Sequence, residues 1–180
     1  MTALLTSVTG TTDSVVKYIN ECREMGIAVE APDINVSDAN FTPHGSAIRF
    51  GLAAVKNVGH NAIESIVAGR KELGRYTSIY EFCEKVELRL LNKRVLESLI
   101  KSGAMDGLGR RAQLMAVLDR AIEGAQKTQR DAESGQHGLF GVFQEGGASA
   151  LQNKLPDTPD WDEHIRLANE KEILGFFISG

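Results

Sequence analysis

The stretch Ala54-Val55-Lys56-Asn57-Val58-Gly59-His60-Asn61-Ala62-Ile63 constrains the fold more than any other part of the chain. Two helical patterns meet across it with almost no connecting chain. Asn57 and Gly59 are residue types that tolerate a left-handed backbone, so the direction can reverse within one tight turn. The second helix then starts near His60, with its first N–H groups unpaired and pointing outward. Such a start offers donors and a favourable dipole to an anion. Lys56, Arg70, Lys71 and Arg75 lie close by in sequence. Val58, His60 and Asn61 complete the candidate anion-facing bend.

The rest of the chain reads as short helices punctuated by glycine. Thr12 or Asp13 caps a helix running to about Met25, with Val15, Val16, Ile19, Cys22 and Met25 as its apolar stripe and Gly26 as its stop. Ile27 to Asn35 reads as extended, since Pro32 excludes helix at Ala31. Residues 36–47 read as loop, and Ile48-Arg49-Phe50 as a short strand. Leu52 to Asn57 and Asn61 to Arg70 form the first helical pair, with Ile63, Ile66 and Val67 inward. Ser78 to Val86 is a further helix, and Asn92 caps another through Ser102. The Gly-rich connection Gly103 to Gly109 leads into a long helix over about 110–132, with Leu114, Val117, Leu118, Ala121 and Ile122 at helical spacing. Helix–turn–helix therefore occurs twice, similar in plan and not in letters.

Charge is distributed unevenly. The formal net charge is −4, yet residues 42–130 hold 15 Lys+Arg against 9 Asp+Glu, and the remainder holds 5 against 15. A basic middle between acidic flanks suits a polyanionic partner. No apolar run is long enough for a membrane span, and Met1 to Leu5 lacks signal-peptide character. Cys22 and Cys83 sit in helical patterns and read as buried reduced thiols, which points to the cytoplasm.

Taken together, the first pair reads as a helix-hairpin-helix, a device that grips a nucleic-acid backbone without reading base edges. Lys101, Arg110 and Arg111 flank the second connection and make it a candidate second grip. Residues 133–160 read as a linker rich in Gly, Ser and Gln. Inside it, Gln136-His137-Gly138-Leu139-Phe140 suggests a docking peptide, with Gln136 setting register and Leu139 and Phe140 as apolar anchors. The equal alternative is that Leu139, Phe140 and Phe143 fold back on the core. Trp161 to Leu174 resumes helical periodicity through Ile165, Leu167, Ala168 and Ile173, and an extended apolar end follows. No catalytic constellation, metal-ligand spacing or phosphate-binding Gly-Lys-Ser/Thr loop is found; Asp33 after Pro32 reads as a turn residue.

Several strings resemble the bacterial C-family replicative polymerases, the DNA polymerase III alpha subunits. They are 18–27 (YINECREMGI), 32–35 (PDIN), 48–59 (IRFGLAAVKNVG), 92–104 (NKRVLESLIKSGA) and 170–180 (EKEILGFFISG), with a weaker match at Ala3-Leu4-Leu5-Thr6-Ser7. The resemblance implies a piece that spans the end of the fingers (1–40), a tandem helix-hairpin-helix domain (41–132), a linker with a clamp-binding peptide (133–160) and a helix toward a further domain (161–180). It implies double-stranded DNA, the sliding clamp and other replicase subunits as partners. It also implies that the acidic palm residues that hold magnesium are absent here, so the piece carries no catalytic residue and no cofactor of its own.

The expectation is thus a mostly α chain with paired hairpins, a short extended piece and a flexible C-terminal linker. Its function is sequence-independent duplex binding plus clamp tethering within a DNA-directed DNA polymerase. The rivals are a DNA-binding module of a repair or recombination protein, and a helical protein-interaction domain.

Overall fold

A computed structural model describes residues 1–9, 12–133 and 154–179. Seven α-helices occur among them: α1 (Thr2–Ser7), α2 (Thr12–Glu24), α3 (His60–Leu73), α4 (Ile79–Lys85), α5 (Lys93–Lys101), α6 (Arg111–Glu133) and α7 (Glu163–Leu174). Two 3₁₀ turns, Leu52–Ala54 and Asp106–Leu108, precede α3 and α6. Strands β1 (Val29–Glu30), β2 (Thr42–His44) and β3 (Ala47–Arg49) form one small sheet. β3 lies in the middle, parallel to β1 and antiparallel to β2.

Local chemistry explains most boundaries. Ser78 Oγ accepts from the Glu81 amide and Asn92 Oδ1 from the Val95 amide, so α5 starts at its expected cap and α4 is capped by Ser78. After α5, Gly103 (φ 84°) donates to the Ile100 carbonyl and the Ala104 amide to Leu99, the paired bonds that close a helix over a left-handed glycine. Gly26 closes α2 in the same way.

The structure corrects three expectations. Residues 36–47 include β2, because Gly45 (φ 60°) turns the chain back so that Thr42–His44 pairs with β3. The first hairpin helix shrinks to the 3₁₀ turn Leu52–Ala54, since Val55 is already extended at its C-terminal end. Met25 leaves the α2 stripe: the helix ends at Glu24 and Met25 is 64% exposed.

One buried cluster runs from Leu5 on α1 to Phe176 beyond α7. Around the sheet, Phe50 stacks edge-on to Phe41 at 4.8 Å and tilted against Phe176 at 5.6 Å. Gly51 lets the backbone at Ala39–Phe41 come close; a Cβ there would sit 2.5 Å from the Asn40 carbonyl carbon. Tyr76 is fully buried, donates to the Ile66 carbonyl at 2.7 Å, and packs edge-on to Phe82. Both cysteines are buried free thiols, as expected.

Burial pushes the Tyr76 phenol up to about 12 and the Cys83 thiol, from the same cause, also to about 12. The folded chain therefore holds these protons more tightly than the unfolded chain does. Stability should be full below about pH 8 and fall as pH rises toward 12, with a loss on the order of 4 kcal/mol by about pH 11. Urea unfolding midpoints across that range will show it, and a Tyr76→Phe, Cys83→Ala double variant should flatten the decline.

Candidate nucleic-acid interface

The first hairpin is built on an apolar peg. Val55 and Val58 are buried at 2% and 7% exposure, and they pin the bend to the core from below. Between them the chain must bulge outward, and Asn57 supplies the left-handed residue (φ 70°), the single positive-φ position among described residues that is not glycine. Its side-chain amide donates to Ser98 Oγ on α5 at 2.9 Å, and that hydroxyl in turn donates to the Arg94 carbonyl. The Lys56 amide donates to the Ile173 carbonyl of α7 at 3.2 Å, and the Val58 amide to Val55. Two of the bend's amides are therefore spent internally.

The amides that begin α3 are a separate set. Gly59 is the N-cap and has no side chain to satisfy them. The first turn of a helix has no carbonyl behind it, which leaves the His60, Asn61 and Ala62 amides directed outward. Gly59 is extended (φ −81°, ψ 163°), so its glycine is not required by backbone conformation. A Cβ there would meet nothing within 4 Å, so the protein itself does not need the space either. Lys56, Asn57, Gly59, His60 and Asn61 are all exposed. His60 reaches Glu64 at 3.3 Å one turn on, with both side chains largely in solvent.

The expected cations divide sharply. Arg70 faces inward: its guanidinium donates to the Ile34 and Ser37 carbonyls at 3.1 and 3.0 Å and pairs with Asp38. It holds the 33–38 loop, where the Asp33 carboxylate accepts the Asn35 amide, and is not offered to a ligand. Lys71 and Arg75 are exposed, but α3 carries Lys71 roughly 17 Å from the bend. Lys101 is tied to Glu172 at 3.1 Å. Of the first set, Lys56 alone combines exposure with a place on the bend.

The second hairpin differs in kind. Arg111 is 4% exposed and grips Asp106 through Nε and Nη2, both at 2.9 Å, while Nη1 reaches the fully buried Glu170 at 2.9 Å. Glu170 Oε2 also accepts the Ile178 and Ser179 amides. Burial alone would raise the Glu170 pKa, but those amides and Arg111 outweigh it and hold the carboxyl below its usual range. Burial would likewise lower the Arg111 pKa, but Asp106 and Glu170 prevail and raise it. Arg111 is thus a structural cation, contrary to expectation, and the Gly103 backbone lies against it: a Cβ would stand 2.4 Å from Arg111 Nη2. Arg110 remains exposed at the head of α6.

The face of α7 also departs from expectation. Ile165 is 46% exposed, whereas Glu170, Ile173 and Leu174 are buried. Sequence reasoning also passed over two arginines. Arg94 is exposed on α5, one turn before Ser98. Arg166 on α7 borders a notch of about 430 Å³ with Arg110 and Arg111. A hollow of about 820 Å³ beside α3 is lined by Glu64, Glu72, Glu84 and Glu87 against Lys85, the wrong sign for a polyanion. Gln136, Leu139 and Phe140 lie outside the described residues. Among the described residues there is no group of side chains able to hold a metal and no helix long and apolar enough to cross a membrane.

A helix-hairpin-helix motif model matches residues 26–114, which contain the first hairpin and the connection of the second. Along its whole length the chain is 39% identical to the DNA polymerase III alpha subunit of Mycobacterium tuberculosis. It is 42% identical over 99% of its length to that of Saccharopolyspora erythraea, and 36% identical over all of it to that of Vibrio cholerae. The chain belongs to the DNA polymerase III alpha subunit family. It spans 15–16% of the length of these relatives.

Removing one partner of the Arg111–Glu170 pair strands a buried charge. Glu170→Ala should cost about 3–5 kcal/mol in urea unfolding. In the intact chain the stability owed to Glu170 is present above its unfolded pKa near 4.5 and is lost as pH falls through the lower folded value, so acid unfolding should begin later than in Glu170→Gln.

Proposed function

We propose that this chain is the duplex-gripping part of a replicative DNA polymerase, acting on the sugar–phosphate backbone without reading base edges. The observation that carries the reading is the first hairpin: an exposed bend whose following helix presents uncapped amides beside Lys56. Backbone amides and the helix dipole hold a phosphate oxygen, worth roughly 0.3–1 kcal/mol from the dipole at low salt. Lys56, Arg94 and Arg110 add counterion release. Every contact is to phosphate, so affinity follows salt and not sequence.

Gly59 fits this reading. Neither its conformation nor its surroundings require glycine, and the missing side chain leaves the α3 start open to close approach by a duplex. The second part of the proposal is tethering to the sliding clamp through Gln136, Leu139 and Phe140, which rests on the peptide pattern alone. With both parts in place the polymerase would stay on its product. Nucleotide addition would belong to magnesium-binding acidic residues of a palm elsewhere in such a polymerase, and the other replicase subunits would be further partners.

Gly59→Ala separates this function from ordinary hairpin packing. It should change thermal stability little, because φ is permitted and the space is open while alanine is the poorer N-cap, yet lower duplex affinity about tenfold in fluorescence anisotropy. Unaltered affinity would remove the first hairpin from the interface. For about four phosphates, log K against log salt should have a slope near −3.6, equal for unrelated duplex sequences. Leu139→Ala with Phe140→Ala should abolish clamp capture in a pull-down and leave duplex affinity intact; persistent capture would exclude the peptide.

A further inference from the structure

The notch between the head of α6 and the face of α7 contains an unusual guanidinium. Arg166 Nε is buried from solvent and has no hydrogen-bond partner among the described residues. Arg166 forms no ion pair among the described residues either. Desolvating part of a guanidinium without pairing it costs free energy, and a donor left orphaned in this way calls for a partner such as a water or an ion. Arg110 stands exposed at the same notch, and Gly109 borders it.

Three arginines and two carboxylates, Asp106 and Asp160, line the notch, and the cationic excess favours a single oxyanion. Arg111 is already consumed by Asp106 and Glu170. Asp160 also borders the notch, but its Oδ1 is held by the Ala112 and Trp161 amides. The Arg110 amide is taken by Gln113. The helix start is therefore capped by side chains of the protein, and what remains available is a side-chain site, Arg110 and Arg166. Two guanidiniums from separate elements suit a phosphate, which takes paired N–H donors in fork geometry.

The placement also fits the first hairpin. Arg166, Glu170 and Ile173 follow one another at spacings of four and three, on one face of α7. Ile173 takes the Lys56 amide, Glu170 holds Arg111, and Arg166 lies at the notch. One helix face thus carries the supports of both hairpins, with the notch about 10 Å along the axis from the first bend's anchor.

We propose that Arg166, with Arg110, forms a phosphate-binding notch that takes one backbone phosphodiester of the duplex whose neighbouring phosphates meet the first hairpin. The proposal rests on the duplex-binding reading above and extends it to α7, a helix that lies outside the matched motif.

The test uses the full chain with a labelled duplex titrated at several salt concentrations, for the unaltered protein, Arg166→Ala, Arg166→Lys and Lys56→Ala. Arg166→Ala should weaken binding about tenfold, equally for unrelated sequences. It should reduce the magnitude of the salt slope by about 0.9, and leave Tm unchanged or higher because it removes an unpaired cation. Arg166→Lys should keep most of the slope. Inorganic phosphate added to the unaltered protein should shift the Arg166 Nε–H resonance. Unchanged affinity and slope in Arg166→Ala, with Lys56→Ala still weakened, would overturn the notch and leave duplex binding standing. A Tm drop of several degrees in Arg166→Ala, or an Nε–H resonance indifferent to phosphate, would make Arg166 structural and overturn the notch as well. No duplex binding by the unaltered protein at low salt would overturn both.

Discussion

The buried contact between Arg111 and Glu170 is the constraint on which the rest of this molecule depends. It joins the head of α6 to a helix 59 residues later, across the 133–160 stretch. The pair does not stand alone: Asp106 fills one side of the guanidinium and two backbone amides fill the free oxygen of Glu170. Full satisfaction is what makes such a pair tolerable, because two charges removed from water repay their desolvation only with every lone pair and proton engaged. A pair of this kind adds less to net stability than to specificity, since one seating of α7 satisfies all of these partners together.

From that seating the geometry of the first hairpin follows. α7 delivers the Ile173 carbonyl to the Lys56 amide, and α5 delivers Ser98 to Asn57. The bend is thereby held from two helices while its outer surface stays bare. Amides that support the turn are consumed, and those that begin α3 are not. This division lets the hairpin be rigid and still present donors, and rigid donors lose less entropy when a ligand arrives. The second hairpin is arranged the opposite way. Its buried arginine and capped helix start serve the fold, and its remaining cations are at the edge of a notch.

Much of the architecture was legible along the chain. Caps at Ser78 and Asn92 and stops at Gly26 and Gly103 are local events, decided by a side-chain oxygen or by a missing Cβ, so residue type is enough to locate them. Burial of Ile63, Ile66, Leu96 and Leu99 follows from helical spacing for the same reason. Site residues were less legible. Arg70, Lys101 and Arg111 look like surface cations in sequence, yet each is engaged by a carbonyl or carboxylate distant along the chain. Lys56 and Arg110 look no different and are exposed. Arg166 attracted no notice, since a single arginine among charged neighbours carries no local signal.

The sequence by itself determined the helical grammar, the reversal at Asn57, the family resemblance and the basic middle of the chain, because these depend on neighbours within a few residues or on composition. Only tertiary structure decided which arginines serve the interior and which face outward. That decision is made by long-range pairing, in which a guanidinium goes wherever a distant carboxylate or free carbonyl can complete it. The same pairing turned Glu170 of α7 inward beside Ile173 and Leu174 and left Ile165 exposed, against the apolar period that its sequence displays.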